Sequence, residues 1–346
     1  MIENKLQLHR QLWEKGRNLI FQENPAAKPH GFTYRETYDS PEKMWQTEIT
    51  NTLVCDNYPT DGIPTVRPNL GVVFIPAIAG QTVRFLNDKD MPWPGEHLSK
   101  DQIRQIPELD INVDLMRKAI EFYAFAAKGS PALYHPDTQG PFDIAHIIYG
   151  DQIMFDFYDD PQWVEELLGI CTDLIIRVTD KLKELIGVPD NSMIHGHGTP
   201  QGLYFPGAGC RSSHDSDTLM SSEQIEQFSL PFLRRLAKRY SGAFIHYCGK
   251  HEELFKMLCS EQLVKAIDLG NPESYDLDFL MRTCAETDTV LYSRLPVMEQ
   301  ESGYDYVTRI ARKAKDFGTR LVLRSRHLSE SRDEAQELYE IFHSIS

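Results

Sequence analysis

The chain has 346 residues, with 36 Lys and Arg against 51 Asp and Glu, a formal charge of −15. Hydrophobic residues at 41% and aromatics at 10% supply a large core and exclude global disorder. The acidic balance, without a long Lys/Arg run, argues against nucleic acid or an anionic membrane surface as the main partner, but leaves room for a small anion met by a local arginine. Six cysteines (Cys55, Cys171, Cys210, Cys248, Cys259, Cys284) lack disulfide-framework spacing. The charged opening, Met1 to Gln7, is unlike a signal peptide, and no apolar run approaches the ~20 residues of a membrane helix. A reduced, cytoplasmic enzyme is the expectation.

Residues 1–60 are polar and begin with a helical pattern (Leu6, Leu8, Leu12, Trp13, Leu19, Ile20). They read as an N-terminal helical extension packed on a main body of residues 61–346. Val72–Ile75 reads as a buried strand, Pro92–Gly95 as a rigid loop and Asp114–Lys128 as a helix. From Pro161 to Ile186 apolar residues recur at steps of three and four (Trp163, Val164, Leu167, Leu168, Cys171, Leu174, Ile175, Val178, Leu182, Leu185), the stripe of a long helix. Asp159 and Asp160 ahead of Pro161 supply its start signal. Met193 to Asp217 is polar and glycine-rich and reads as a long loop of functional character, followed by a helix at Ser222.

Four strand–helix units then follow: 243–247 with 251–259, 264–267 with 277–285, 290–292 with 304–317, and 321–323 with 330–345. Short connections between such units mean parallel strands, because parallel pairing needs helical crossovers. No GxGxxG or GxxxxGK[ST] turn supports a doubly wound sheet. The fold class is therefore α/β, a single (β/α)8 TIM barrel with an N-terminal helical extension.

In such a barrel, polar residues just past the strands carry the chemistry. His246-Tyr-Cys248-Gly-Lys stands foremost: residues two apart on a strand point to one side, so an imidazole and a sulfur lie together, a pair suited to zinc. Two ligands rarely suffice, and His327, after the last strand, is the candidate third. A buried core His beside a free Cys is the competing reading. His195 and His197 have the same spacing and read as a second metal pair or as ordinary loop histidines. Arg211 and Asp215 are available for substrate, because Ser221 or Ser222 with Glu223 caps the next helix. Asn69, Gln139, Asp268 and Asn271 lie in turns that either face ligand or serve only turn chemistry.

The stretch from Gln139-Gly-Pro-Phe to Gly150, continuing through Asp156 and Pro161 to Leu168, resembles the "GPxT…A…G" turn and following helix of the uroporphyrinogen decarboxylase superfamily. Ser222 to Arg235 resembles its "S…F…P(Y/F)L" helix, and Ile245 to Lys250 its "HxCG" segment. The resemblance spans about residues 40 to 345 and implies a single (β/α)8 barrel.

The superfamily includes cobalamin-dependent methyltransferases, whose "HxCG" and a later cysteine hold zinc; here His246 and Cys248 match, and the later position reads Arg326-His327. The decarboxylase branch's "RQAGRY" segment is not found around Arg10, Arg17 or Arg35, and the tyrosine after its turn aligns with Ile147. The resemblance therefore implies a methyltransferase acting on a small-molecule substrate. Zinc would sit on His246, Cys248 and His327, and a corrinoid would be borne by a partner protein. Asp215 and Arg211 would orient substrate, Tyr204 would form a wall, and Asn69, Gln139, His195, His197, Asp268 and Asn271 would contact it. A cofactor-free decarboxylase of a polycarboxylate or tetrapyrrole and a non-catalytic small-molecule-binding barrel are the alternatives.

Overall fold

The computed structural model describes residues 2–14, 16–23, 31–56, 58–126, 131–325 and 328–346, with 53–56 as backbone only. Its strands are β1 (Leu19–Gln22), β2 (Ile63–Val66), β3 (Val83–Arg84), β4 (Trp93–Pro94), β5 (Ala132–Leu133), β6 (Ser192–His195), β7 (Gln201–Pro206), β8 (Cys210–Ser213), β9 (Ala243–Tyr247), β10 (Val264–Leu269), β11 (Val290–Ser293) and β12 (Leu321–Ser325). Six form one wholly parallel sheet, in the order β1-β12-β11-β10-β9-β8. A second sheet runs β5-β2-β7-β6, in which β2 and β5 are parallel and β7 is antiparallel to both its neighbours. A two-stranded ribbon, β3–β4, lies outside both.

The α/β class is as expected, whereas the ring of strands is not closed by continuous ladders. Strand β7 occupies the edge of β2 that a closed ring would give to β1. Among the described residues, what joins the sheets is one backbone bond at one side, Asp61 N–H to Ile20 O at 3.0 Å, and one isolated parallel bridge at the other, Gln139 to Ser213.

Several local expectations are corrected. Val72–Ile75 is no strand; a short helix, Phe74–Ile78, stands there, and the strand lies upstream as β2, hidden from pattern reading by its four-residue length and Pro64. Leu19 and Ile20 belong to β1, because the first helix ends at Trp13. The long loop at Met193–Asp217 contains β6, β7 and β8, whose Met193, Leu203 and Phe205 are buried. The helix Pro161–Ile186 has the expected bounds: the Asp160 side chain accepts from Trp163 N–H, and Gly187 ends it in a left-handed conformation (φ 76°).

Strand alternation decides what faces inward. On β9, Phe244 joins an inner apolar cluster while Ala243, Ile245 and Tyr247 pack outward under the helices. The same division puts Ala266 of β10, Val290 and Tyr292 of β11, and Val322 of β12 inside. With Leu19, Phe21, Leu203 and Phe205 they fill the interior; Phe244 sits 4.8 Å from Phe205 and 5.2 Å from Tyr292 between ring centroids. One step further along each strand, the same inward side carries His246, Asp268 and Arg324. Apolar plug below and polar residues above thus follow from a single period of two. Among the described residues no helix is long and apolar enough to cross a membrane.

Asp61 ties the chain's two ends together. Its buried carboxylate accepts from Ile20 N–H (2.8 Å) and His343 Nε2 (3.0 Å) at Oδ2, and from the Tyr339 hydroxyl (2.7 Å) at Oδ1. Burial alone would raise this carboxyl, but those donors, His343 first, hold it below its ordinary value. A depressed folded-state pKa stabilises above the unfolded value of about 4, and that contribution is lost as pH falls through the folded one. Asp61→Ala therefore lowers unfolding free energy by about 3 kcal/mol at neutral pH. Urea titrations should show the gap between wild type and variant narrowing below about pH 4.

Candidate active site

A cavity of about 490 Å³ opens over the C-terminal ends of the strands, lined among others by Arg67, Asn69, His197, His246, Asp268 and Arg324. Its floor is organised by Asp268. In register beside His246 on adjacent parallel strands, this buried carboxylate receives His246 Nδ1 at 3.0 Å and Arg324 Nη1 at 3.3 Å, both on Oδ2. His197 Nε2 stands 3.4 Å from the same oxygen.

These contacts assign the tautomers. Arginine can only donate, and Arg211 Nη2 lies 3.1 Å from His197 Nδ1, so Nδ1 accepts and Nε2 carries the proton facing Asp268. Burial, reinforced by Arg211, keeps the His197 pKa well below 6.5 and the ring neutral. His246 donates from Nδ1 to Asp268, which leaves the Nε2 lone pair free to bind. That lone pair faces Cys248 Sγ at 3.5 Å and Asp215 Oδ1 at 3.9 Å. A carboxylate behind a histidine whose other nitrogen points at a sulfur and an oxygen is the arrangement by which proteins orient imidazole ligands of metals.

Among the described residues, two groups in this region have metal-ligand proximity: His197, His246 and Asp268; and Asp215, His246 and Cys248. The first is already satisfied internally, its His197 Nε2 protonated and its Asp268 holding three cationic or N–H donors. The second offers one nitrogen, one sulfur and one oxygen, with the proton of its imidazole on the far side toward Asp268, a set that suits zinc. Partial burial and the Asp215 carboxylate push the Cys248 thiol up to about 12. Gly270, which donates N–H to Tyr247 O at 2.8 Å, lies so close to Cys248 that a Cβ there would collide with Sγ.

The other anticipated residues divide. Asn69 lines the cavity. Arg211 is buried behind His197, donates to Thr138 O at 2.9 Å and stands 3.8 Å from Asp137, so it positions the ring. His195 is buried below, its Nδ1 accepting from His197 N–H at 3.0 Å and its ring edge-on to Tyr134. Burial keeps it neutral as well, and because its Nδ1 is taken up by the His197 N–H it does not form a metal pair with His197. Gln139 is buried opposite Ser213, in a bridge whose bonds run from Gly140 N–H to Ser213 O (2.8 Å) and from Ser213 N–H to Thr138 O (3.3 Å). Asn271 accepts from Gly249 N–H at 2.9 Å and so braces the turn that presents Cys248. Tyr204 lies away from this group: its backbone binds His9 Nδ1 and Trp13 Nε1 of the first helix. His327 falls outside the described residues.

Sequence reasoning missed Arg324 and Asp137, and placed Arg67 with Asn69 in a turn that either faces ligand or serves only turn chemistry. Burial would lower Arg67's pKa, but Asp137 at 2.8 Å and Tyr134 hold it charged. Asp137 in turn is held below the ordinary carboxylate range, against burial, by Arg67 and Arg211. An arginine inside the apolar strand Leu321–Ser325 was the available signal, since a buried guanidinium must have an anionic partner.

No family model matches this chain, and no curated protein matches it. Four solved chains do match. One, a methyltransferase from Methanosarcina mazei, aligns over 98% of each chain with a TM-score of 0.61 and 13% sequence identity. At that identity the likeness is one of fold.

Asp268→Asn tests the assignment of tautomers. The amide must turn a donor toward one of three donors, so stability falls by about 2–4 kcal/mol. In ¹⁵N spectra of the histidine rings, the wild-type His246 pattern (Nδ1 protonated, Nε2 bare) should be lost. Survival of that pattern in the variant would remove Asp268 from its role.

Proposed function

We propose that this chain is a methyltransferase that moves a methyl group between a small substrate and a corrinoid carried by a partner protein, with zinc on His246 and Cys248 activating the substrate. One observation carries the reading: the bare Nε2 of His246 and the sulfur of Cys248 converge at 3.5 Å beside the cavity, with Asp268 fixing the imidazole from behind. The full-length likeness to the Methanosarcina mazei methyltransferase supports it. In this reading the two sheets are two arcs of one incompletely laddered (β/α)8 barrel, and the cavity lies at the end where such barrels place their chemistry.

Bound zinc supplies Lewis acidity, lowering the pKa of a thiol or polarising an oxygen or nitrogen substituent. The chain's own residues do the rest. Asp268 keeps the proton of His246 on Nδ1, away from the ligand position. Arg211 keeps His197 neutral and its Nε2–H directed at Asp268, so that the carboxylate's acceptor positions stay occupied. Arg67, paired with the partly buried Asp137, and Arg324, paired with the buried Asp268, give the cavity wall a rigid array of donors for a polar or anionic part of the substrate. Buried strands below and the apolar plug exclude water from the floor.

A cofactor-free decarboxylase is the second reading, and the guanidiniums of Arg67, Arg294 and Arg324 around the cavity favour it, since they suit carboxylates. Elemental analysis and a methyl-transfer assay separate the two. Purified protein should hold one zinc per chain, lost in Cys248→Ala. Consumption of methylcobalamin with a panel of small thiols, amines and phenols should fall about a hundredfold or more in that variant. Folded, metal-free protein that turns over a polycarboxylate or porphyrinogen would reverse the choice.

A further inference from the structure

We infer that Asp215 is the third protein ligand of the metal site beside His246 and Cys248, making it a His–Cys–Asp set. The inference rests on the zinc reading above and assigns a residue to it. Asp215 lies on the turn just past β8, the strand paired with β9, and the adjoining His214 N–H donates to His246 O at 2.7 Å. That bond places the turn alongside the strand end bearing the other two ligands. Asp215 Oδ1 stands 3.9 Å from His246 Nε2 and accepts Cys248 N–H at 2.5 Å. The three ligand atoms lie within 4.8 Å of one another. A tetrahedral zinc with ordinary bond lengths separates nitrogen from sulfur by about 3.5 Å and nitrogen from oxygen by about 3.3 Å. The nitrogen–sulfur spacing is already met, and the carboxylate needs a small side-chain rotation.

The turn is built to hold that carboxylate in place. Beneath it, buried Asp143 accepts Asp215 N–H at 3.1 Å and Ser216 N–H at 2.7 Å. Next to that, His214 Nδ1 meets Asp217 at 2.7 Å, and Ser229 donates to the same carboxylate. Asp143 thus holds the backbone of Asp215 and Ser216, and Asp217 ties down the neighbouring His214 ring, while the Asp215 side chain remains accessible to the site. Charge agrees: one thiolate and one carboxylate neutralise a dication, whereas the internally satisfied His197 cannot bind without losing its proton.

The test compares wild type, Asp215→Ala, Asp215→Asn, Asp215→His and His327→Ala, each loaded with zinc or Co(II). Zinc affinity is read by competition with a chromogenic chelator, and coordination by the Co(II) ligand-field and thiolate charge-transfer bands. Asp215→Ala and Asp215→Asn should weaken zinc binding about a hundredfold or more and alter the ligand-field bands. Asp215→His should restore binding, and His327→Ala should match wild type. Circular dichroism identifies any variant that fails to fold, and the isosteric Asn variant then carries the comparison. Wild-type affinity and an unchanged Co(II) spectrum in Asp215→Asn, or loss of metal in His327→Ala alone, overturns the assignment while leaving the zinc reading standing. Wild-type protein that takes up neither metal overturns both.

Discussion

A single buried carboxylate governs this molecule's interior. Asp268 is buried, so its charge is answered chiefly by protein donors, and three converge on it from three different places: His246 from the neighbouring strand, Arg324 from β12 and His197 from the turn after β6. Satisfying a buried charge in this way is a condition of folding rather than an embellishment, because an unpaired ion in a low-dielectric core costs several kcal/mol. The same condition fixes which nitrogen of each imidazole carries its proton. Electrostatics needed for stability and the nitrogen left bare toward Cys248 are therefore one arrangement.

A second ion pair, Asp137 with Arg67, stands beside the first, and Arg211 connects the two through His197. Every member is buried or nearly so, and each cation has an anion within reach. Such networks are rigid, since moving one member strands another. Rigidity here extends to the backbone: His197 is held at φ 43°, a left-handed value that a residue with a side chain rarely adopts, between Gly196 and Gly198. The bonds from Arg211 to its ring and from its N–H to His195 account for its retention in that conformation.

Much of the frame was legible because periodicity is a local property. The helix Pro161–Ile186 announced itself by its apolar stripe and its Asp160 cap, and β9 to β12 by apolar runs alternating with helical patterns. Strand β2 was not legible, since four residues including a proline carry too little pattern, and the hairpin of β6 and β7 was masked by polar and glycine residues whose reason is close packing. Of the site, His246 beside Cys248 could be read from their spacing. The partnership of Asp268 with His246 could not, because it depends on the register of two strands 22 residues apart. Nor could the placement of Tyr204, whose surroundings are set by the first helix far away in sequence.

The inner hairpin has an outcome for traffic through the molecule. With Leu203, Phe205, Phe244 and Tyr292 wedged across the interior, the polar chamber above them is a blind well. Whatever goes in must retrace its route to get out, and a bulky second reactant at the lip would trap a small one beneath it. With two such reactants, shape would set the order of arrival: the smaller molecule would enter first and depart last.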